Sequence, residues 1–131
     1  MSIMVAYDGS EAAREALALA KVHARTFKDH IEVVRAEERS AKLQYSNIHQ
    51  LEQNLENEIK SQMNGEKIPF TTTLLVSSDT AGEEIVRHLN VKNSQEIFLG
   101  IRRRSKVGKL LFGSTAQYII LNAPCPVVTT K

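Results

Sequence analysis

The hydrophobic period of this 131-residue chain switches repeatedly between about 2 and about 3.6. No other feature restricts its fold as strongly. Short apolar or β-branched runs occur at Ile3 to Tyr7, Ile31 to Ala36, Phe70 to Val76, Ile97 to Leu99 and Val127 to Thr129. Between them the apolar positions recur at helical steps. Ala13, Leu17, Ala20 and Ala24 lie between Glu11 and about Thr26, and Ile48, Leu51, Leu55 and Ile59 precede Asn64-Gly65. Ala81, Ile85 and Leu89 form a third stripe, and Ala116, Ile119, Ile120 and Ala123 a fourth, ending at Pro124 and Pro126. Five strands alternating with four helices predict an α/β fold: an open, mostly parallel five-stranded sheet with two helices on each face, Rossmann-like in plan. Each stripe, including that of Ile48 to Ile59, reads as the side of a helix that covers the sheet.

Composition narrows the setting. A chain of 131 residues is expected to be one domain, spanning 1–131. No apolar run approaches the ~20 residues of a membrane helix. Met1 leads straight into a strand, so a cytoplasmic location is expected. Cys125 is the single cysteine, which excludes an internal disulfide, and between two prolines it reads as a small packed residue. The net charge of +2 does not by itself call for nucleic acid.

Ligands of such folds bind beyond the carboxyl ends of the strands, and two connections stand there. One is Asp8-Gly9-Ser10 after the first strand. The other is GIRRRSKVGKLLFGS, Gly100 to Ser114, which is read as a loop after the fourth. Gly113 and Ser114 open the last helix, where unpaired backbone N–H groups and the helix dipole favour an anion. The loop is not a P-loop, because Arg103 replaces the first glycine and Leu110 the hydroxyl residue that follows Gly108-Lys109. A dinucleotide GxGxxG after the first strand is absent. His23, His30, His49 and His88 lack metal-ligand spacing, and no nucleophile–base set suggests a catalytic group. The arginine-rich loop has no interleaved aromatics to stack on bases, which argues against nucleic acid.

Three stretches resemble the universal stress protein family, in order and over nearly the whole chain. They are Val5-Ala6-Tyr7-Asp8-Gly9-Ser10, the glycine loop, and Asn122-Ala123-Pro124-Cys125-Pro126-Val127-Val128. The resemblance implies the adenine nucleotide alpha hydrolase-like variant of the fold and ATP, with or without Mg2+, as ligand. In the family's ATP-binding members the loop runs Gly, two residues, Gly, nine residues, then Gly with Ser or Thr. Gly100, Gly113 and Ser114 match it, and Arg103 stands where the second glycine belongs. By the same resemblance Asp8 meets the ribose and phosphates, Gly113, Ser114 and Thr115 cradle the phosphates, and Ala36 lines the adenine pocket. Arg102 and Arg103 are placed beside the phosphates. A homodimer formed through the last strand, Val127-Val128-Thr129, is also implied.

Each position has a plainer reading. Asp8 with Glu11 suits an N-cap and capping box for the first helix. Gly100 and Gly113-Ser114 suit a strand end and a helix start, and Arg102 to Lys109 a solvated basic loop. Three functions stay open: a regulatory protein that binds an adenine nucleotide, a weak ATPase, and a ligand-free dimeric interaction protein in which Arg103 closes the pocket.

Overall fold

A computed structural model of the chain describes residues 1–40, 43, 45–101, 103–104 and 110–131. In chain order the elements are β1 (Ser2–Ala6), α1 (Glu11–Phe27), β2 (His30–Glu38), α2 (Tyr45–Gln62), β3 (Phe70–Ser77), α3 (Ala81–Lys92) and β4 (Ile97–Gly100), followed by β5 (Arg103–Arg104), β6 (Leu110–Leu111), α4 (Ser114–Asn122) and β7 (Val127–Thr130). Five strands form one parallel sheet in the order β3-β2-β1-β4-β7. Chain order reverses direction at β1, which places β1 and β4 beside a crevice, and leaves β3 and β7 as edges.

The register explains the uninterrupted apolar runs. Val5 lies beside Val33 and Phe98, and all three face one core with Ala16, Leu17 and Ala20 of α1 and Leu55 and Ile59 of α2. Their neighbours Met4, Val34, Ile97 and Leu99 face the opposite core, with Ile85 and Leu89 of α3 and Ala116 and Ile119 of α4. A strand covered on both faces has no polar side to display. The expected sheet with two helices on each face is therefore present.

Local chemistry sets the helix ends. Ser10, not Asp8, is the N-cap of α1: its Oγ accepts from the Ala13 backbone N–H at 3.1 Å. Asp8 stands two residues earlier and its Oδ1 accepts from the Ser10 N–H at 3.0 Å, which shapes the turn and leaves no capping box. Thr80 caps α3 in the same way. Alanines along α1 let it lie close to the sheet. The approach is closest at Gly100, where a β-carbon would fall 2.4 Å from the Ala12 carbonyl carbon. The stripe read on α2 belongs to the core only at Leu55 and Ile59, while Ile48 and Leu51 are half-buried. That helix packs along the edge strand β3, where there is less sheet to cover. The connection read as a loop contains a short antiparallel ladder, β5 on β6, pairing Arg103 with Leu111.

Two polar clusters tie helices to the sheet. Glu32, buried on the α3 side of β2, accepts from Thr73 Oγ1 at 2.9 Å and pairs with His88 Nε2 at 2.9 Å. On the other face Tyr7 donates to Glu58 Oε1 of α2 at 2.6 Å and accepts from Gln62 Nε2 at 2.7 Å. Burial, with Glu58 beside it, pushes the Tyr7 phenol pKa up from its ordinary value. Cys125 packs half-buried against the second core, and its thiol pKa is likewise raised by burial. Among the described residues no helix is long and apolar enough to cross a membrane.

Candidate functional site

At the carboxyl ends of β1, β2 and β4 the chain leaves a cavity of about 620 Å3. Its apolar lining comes from the last residues of the strands and the facing helices, Ala6, Ala36, Ile85, Leu99 and Ile119. Polar groups stand among them: Asp8 after β1, Arg35 and Glu37 on β2, and Ser114 and Thr115 at the start of α4. An apolar pocket with a few convergent polar groups at the reversal of a parallel sheet is the usual form of a small-molecule site.

The start of α4 differs from the other described caps. Gly113 has φ −66° and ψ 163°, close to the −75° and 162° of Ser10 and the −66° and 157° of Thr80. This is the backbone of a capping residue without the side-chain oxygen, and no side-chain cap hydrogen bond is made. A β-carbon at Gly113 would meet nothing within 4 Å. Neither its torsions nor its surroundings require glycine, so the open space over the first turn is the feature to account for. There the N–H groups and the positive end of the helix dipole point outward. A phosphate fits that space, whereas a side chain would partly fill it.

The first-strand turn builds the opposite wall. Gly9 takes φ +83°, a conformation that favours glycine, and Arg35 Nη1 lies 3.5 Å from where its β-carbon would be. Arg35 Nε donates to Glu37 Oε1 at 3.0 Å, and the two side chains are 32% and 30% exposed. The guanidinium therefore lies against Gly9 and holds the Glu37 carboxylate beside it.

Of the residues singled out in the sequence, Asp8, Ala36, Gly100, Gly113, Ser114 and Thr115 line this one cavity. Gly100 has a packing role as well, against Ala12. Arg102 lies outside the described residues, and Arg103 is described only through its backbone in β5. Arg35, Glu37, Tyr7 and Phe112 line the cavity without having been anticipated. A signal for the first two was present: Ala36 sits at a strand's carboxyl end, so its neighbours in sequence overhang the same edge.

Residues 1–131 match the profile of the Universal stress protein family. A universal stress protein of Mycolicibacterium smegmatis is 34% identical over 74 residues, and the match spans 56% of this chain and 56% of that relative. A Thermus aquaticus protein, "Universal stress protein in QAH/OAS sulfhydrylase 3'region", is 30% identical over 135 residues, covering 99% of this chain and 98% of its own. Among solved structures, the universal stress protein from Archaeoglobus fulgidus in complex with dAMP is 27% identical, with a TM-score of 0.81 and coverage of 100% and 98%.

Proposed function

The chain belongs to the universal stress protein family, and from that premise we propose that it is a stress-response regulatory protein whose cavity holds an adenine nucleotide. The observation that carries the reading is the uncapped, open first turn of α4 on the cavity wall, with Gly113 in a capping conformation. The phosphates lie at the N–H groups of that turn with the Ser114 and Thr115 hydroxyls, and Asp8 faces the sugar. ATP is taken as the ligand, with Mg2+ tested alongside. The dAMP complex of the Archaeoglobus fulgidus protein supports the nucleotide class. A cytoplasmic location and a single domain over 1–131 are part of this reading.

The same reading includes a homodimer joined along β7. That strand is a sheet edge. The carbonyls of Pro126 and Thr130 accept from Ile97 and Ile101, so even-numbered residues hydrogen-bond toward β4 and the backbone groups of Val127 and Thr129 face outward. Antiparallel pairing with a second copy would satisfy them and close the interface by two-fold symmetry.

Titration calorimetry with ATP and with AMP, each with and without Mg2+, tests the nucleotide. Binding is expected, weakened by Ser114→Ala and by Asp8→Ala. Absence of heat with every nucleotide, together with purified protein free of nucleotide, would overturn the proposal in favour of a ligand-free interaction protein.

A further inference from the structure

Asparagine followed by glycine occurs once in the chain, at Asn64-Gly65. Glycine sets no side chain in the way when its main-chain nitrogen approaches the amide carbon of the preceding side chain, so this pair is the least hindered for ring closure. Burial or hydrogen bonding usually keeps such a pair from reacting. Neither is present here. The pair lies in the turn after α2, beyond Gln62, and both residues are exposed. Among the described residues the Asn64 amide and the Gly65 N–H have no hydrogen-bond partner. Gly65 takes φ +82°, and a β-carbon on it would meet nothing within 4 Å.

The flanks are fixed while the pair is free. Lys21 Nζ of α1 donates to the Gln62 carbonyl at 2.9 Å, the Met63 carbonyl accepts from the Glu66 N–H at 3.0 Å, and Arg25 of α1 donates to both Glu66 carboxylate oxygens at 2.7 and 2.9 Å. None of these anchors is made to Asn64 or Gly65. The other asparagines are placed differently. Asn47, Asn54, Asn57, Asn90 and Asn122 lie within helices, and the amides of Asn54, Asn90 and Asn122 are bonded to Gln50 and to the Val86 and Tyr118 carbonyls. Asn93 precedes a small residue, Ser94, but that residue is buried, with 7% exposure.

We propose that Asn64 is a site of spontaneous covalent modification, deamidation through a cyclic imide. The Gly65 main-chain nitrogen gives up its proton to hydroxide and bonds to Asn64 Cγ, and the side-chain nitrogen leaves as ammonia. Water then opens the ring at one of its two carbonyls, giving aspartate or, where the main chain comes to run through the former side chain, isoaspartate. Either product adds a carboxylate to the turn close to Glu66. Isoaspartate also lengthens the main chain by one carbon between the Lys21 and Arg25 anchors, which loosens the hold of α1 on the turn. The site is at the amino ends of the strands, opposite the cavity.

The test incubates the full chain in mildly alkaline buffer and follows two tryptic peptides by mass spectrometry, Ser61 to Lys67 and Asn93 to Arg102. The first should gain the mass difference between a hydroxyl and an amino group and separate into two products, one of them a substrate for an isoaspartyl methyltransferase. Ring closure at Asn93 needs local opening around buried Ser94, so conversion at Asn64 should be about tenfold faster or more. Asn64→Gln should abolish the change in the first peptide, and Gly65→Ala should slow it, with a melting temperature confirming that each variant folds. Retention of the Asn64 amide in the folded protein while a synthetic Ser61 to Lys67 peptide converts would overturn the proposal. So would conversion at Asn93 as fast as at Asn64, or a mass change that survives Asn64→Gln.

Discussion

Gly113→Ser should strengthen the fold and weaken the ligand site together. The backbone at 113 already matches that of Ser10 and Thr80, whose hydroxyls cap α1 and α3, and a β-carbon there meets nothing within 4 Å. A serine should therefore fit without strain and accept from the first-turn N–H groups of α4. Serine at an N-cap is better than glycine by a few tenths of a kcal/mol, and removing a glycine from the unfolded chain adds about 0.4–1 kcal/mol. The sum, about 0.6–1.4 kcal/mol, corresponds to a rise of about 2–6 °C in melting temperature at this chain length. The new oxygen competes for the N–H groups assigned to phosphate, and losing a charge-assisted hydrogen bond should cost about tenfold or more in nucleotide affinity. Differential scanning calorimetry without ligand and titration calorimetry with ATP read the two effects on one protein. A rise in melting temperature with unchanged affinity would remove the phosphate from α4, and a fall in melting temperature would show that the space over Gly113 is not open.

Gly100→Ala, at the glycine that opens the loop, should act on the fold: its β-carbon would press on Ala12 at 2.4 Å, an overpacking that costs about 1–3 kcal/mol and lowers the urea midpoint, and an unchanged midpoint would contradict that geometry. Tyr7→Phe should cost about 1 kcal/mol at neutral pH through the lost bonds to Glu58 and Gln62. Because the folded phenol holds its proton above the ordinary value of 10.0, the stability it adds is complete below about pH 10 and is lost as pH rises through the folded pKa, so the gap between the two proteins should close only in alkali. A gap that closes in acid would refute the assignment. Thr129→Pro removes an outward-facing N–H from β7 and should shift a light-scattering mass from two chains to one, whereas a single-chain mass for the unaltered protein would refute the dimer.

The fold was legible because both faces of the sheet are covered, which turns each strand into a short apolar run and each helix into a stripe. Gly113 and Ser114 were legible because a helix start is a local pattern. Arg35 and Glu37 were legible only as neighbours of Ala36 at a strand's carboxyl end, and it is the pairing of β2 with β1 that brings Arg35 to the Asp8-Gly9 turn. The capping box misread from Asp8 and Glu11 has a physical cause: Asp8 and Ser10 both bond backbone N–H groups two or three residues on, and sequence does not tell which of them enters the helix. The ladder of Arg103–Arg104 on Leu110–Leu111 was hidden because strands of two residues have no period to detect.

The buried contact of Glu32 with Thr73 and His88 bears on how sharply the cavity is defined. A helix that meets a sheet through apolar groups alone can slip along it, trading one set of contacts for another at small loss. Slipping α3 by one turn, about 5.4 Å, would strand a buried carboxylate away from its donors, a cost of several kcal/mol. The helix thus has one seat on β2. Ala81 and Ile85, which form part of the cavity wall, lie on the same helix about two turns and one turn before His88. A polar contact on the far side of α3 from the solvent thereby acts as a positioning pin for a wall it does not touch, and the cavity keeps the same contour in every molecule.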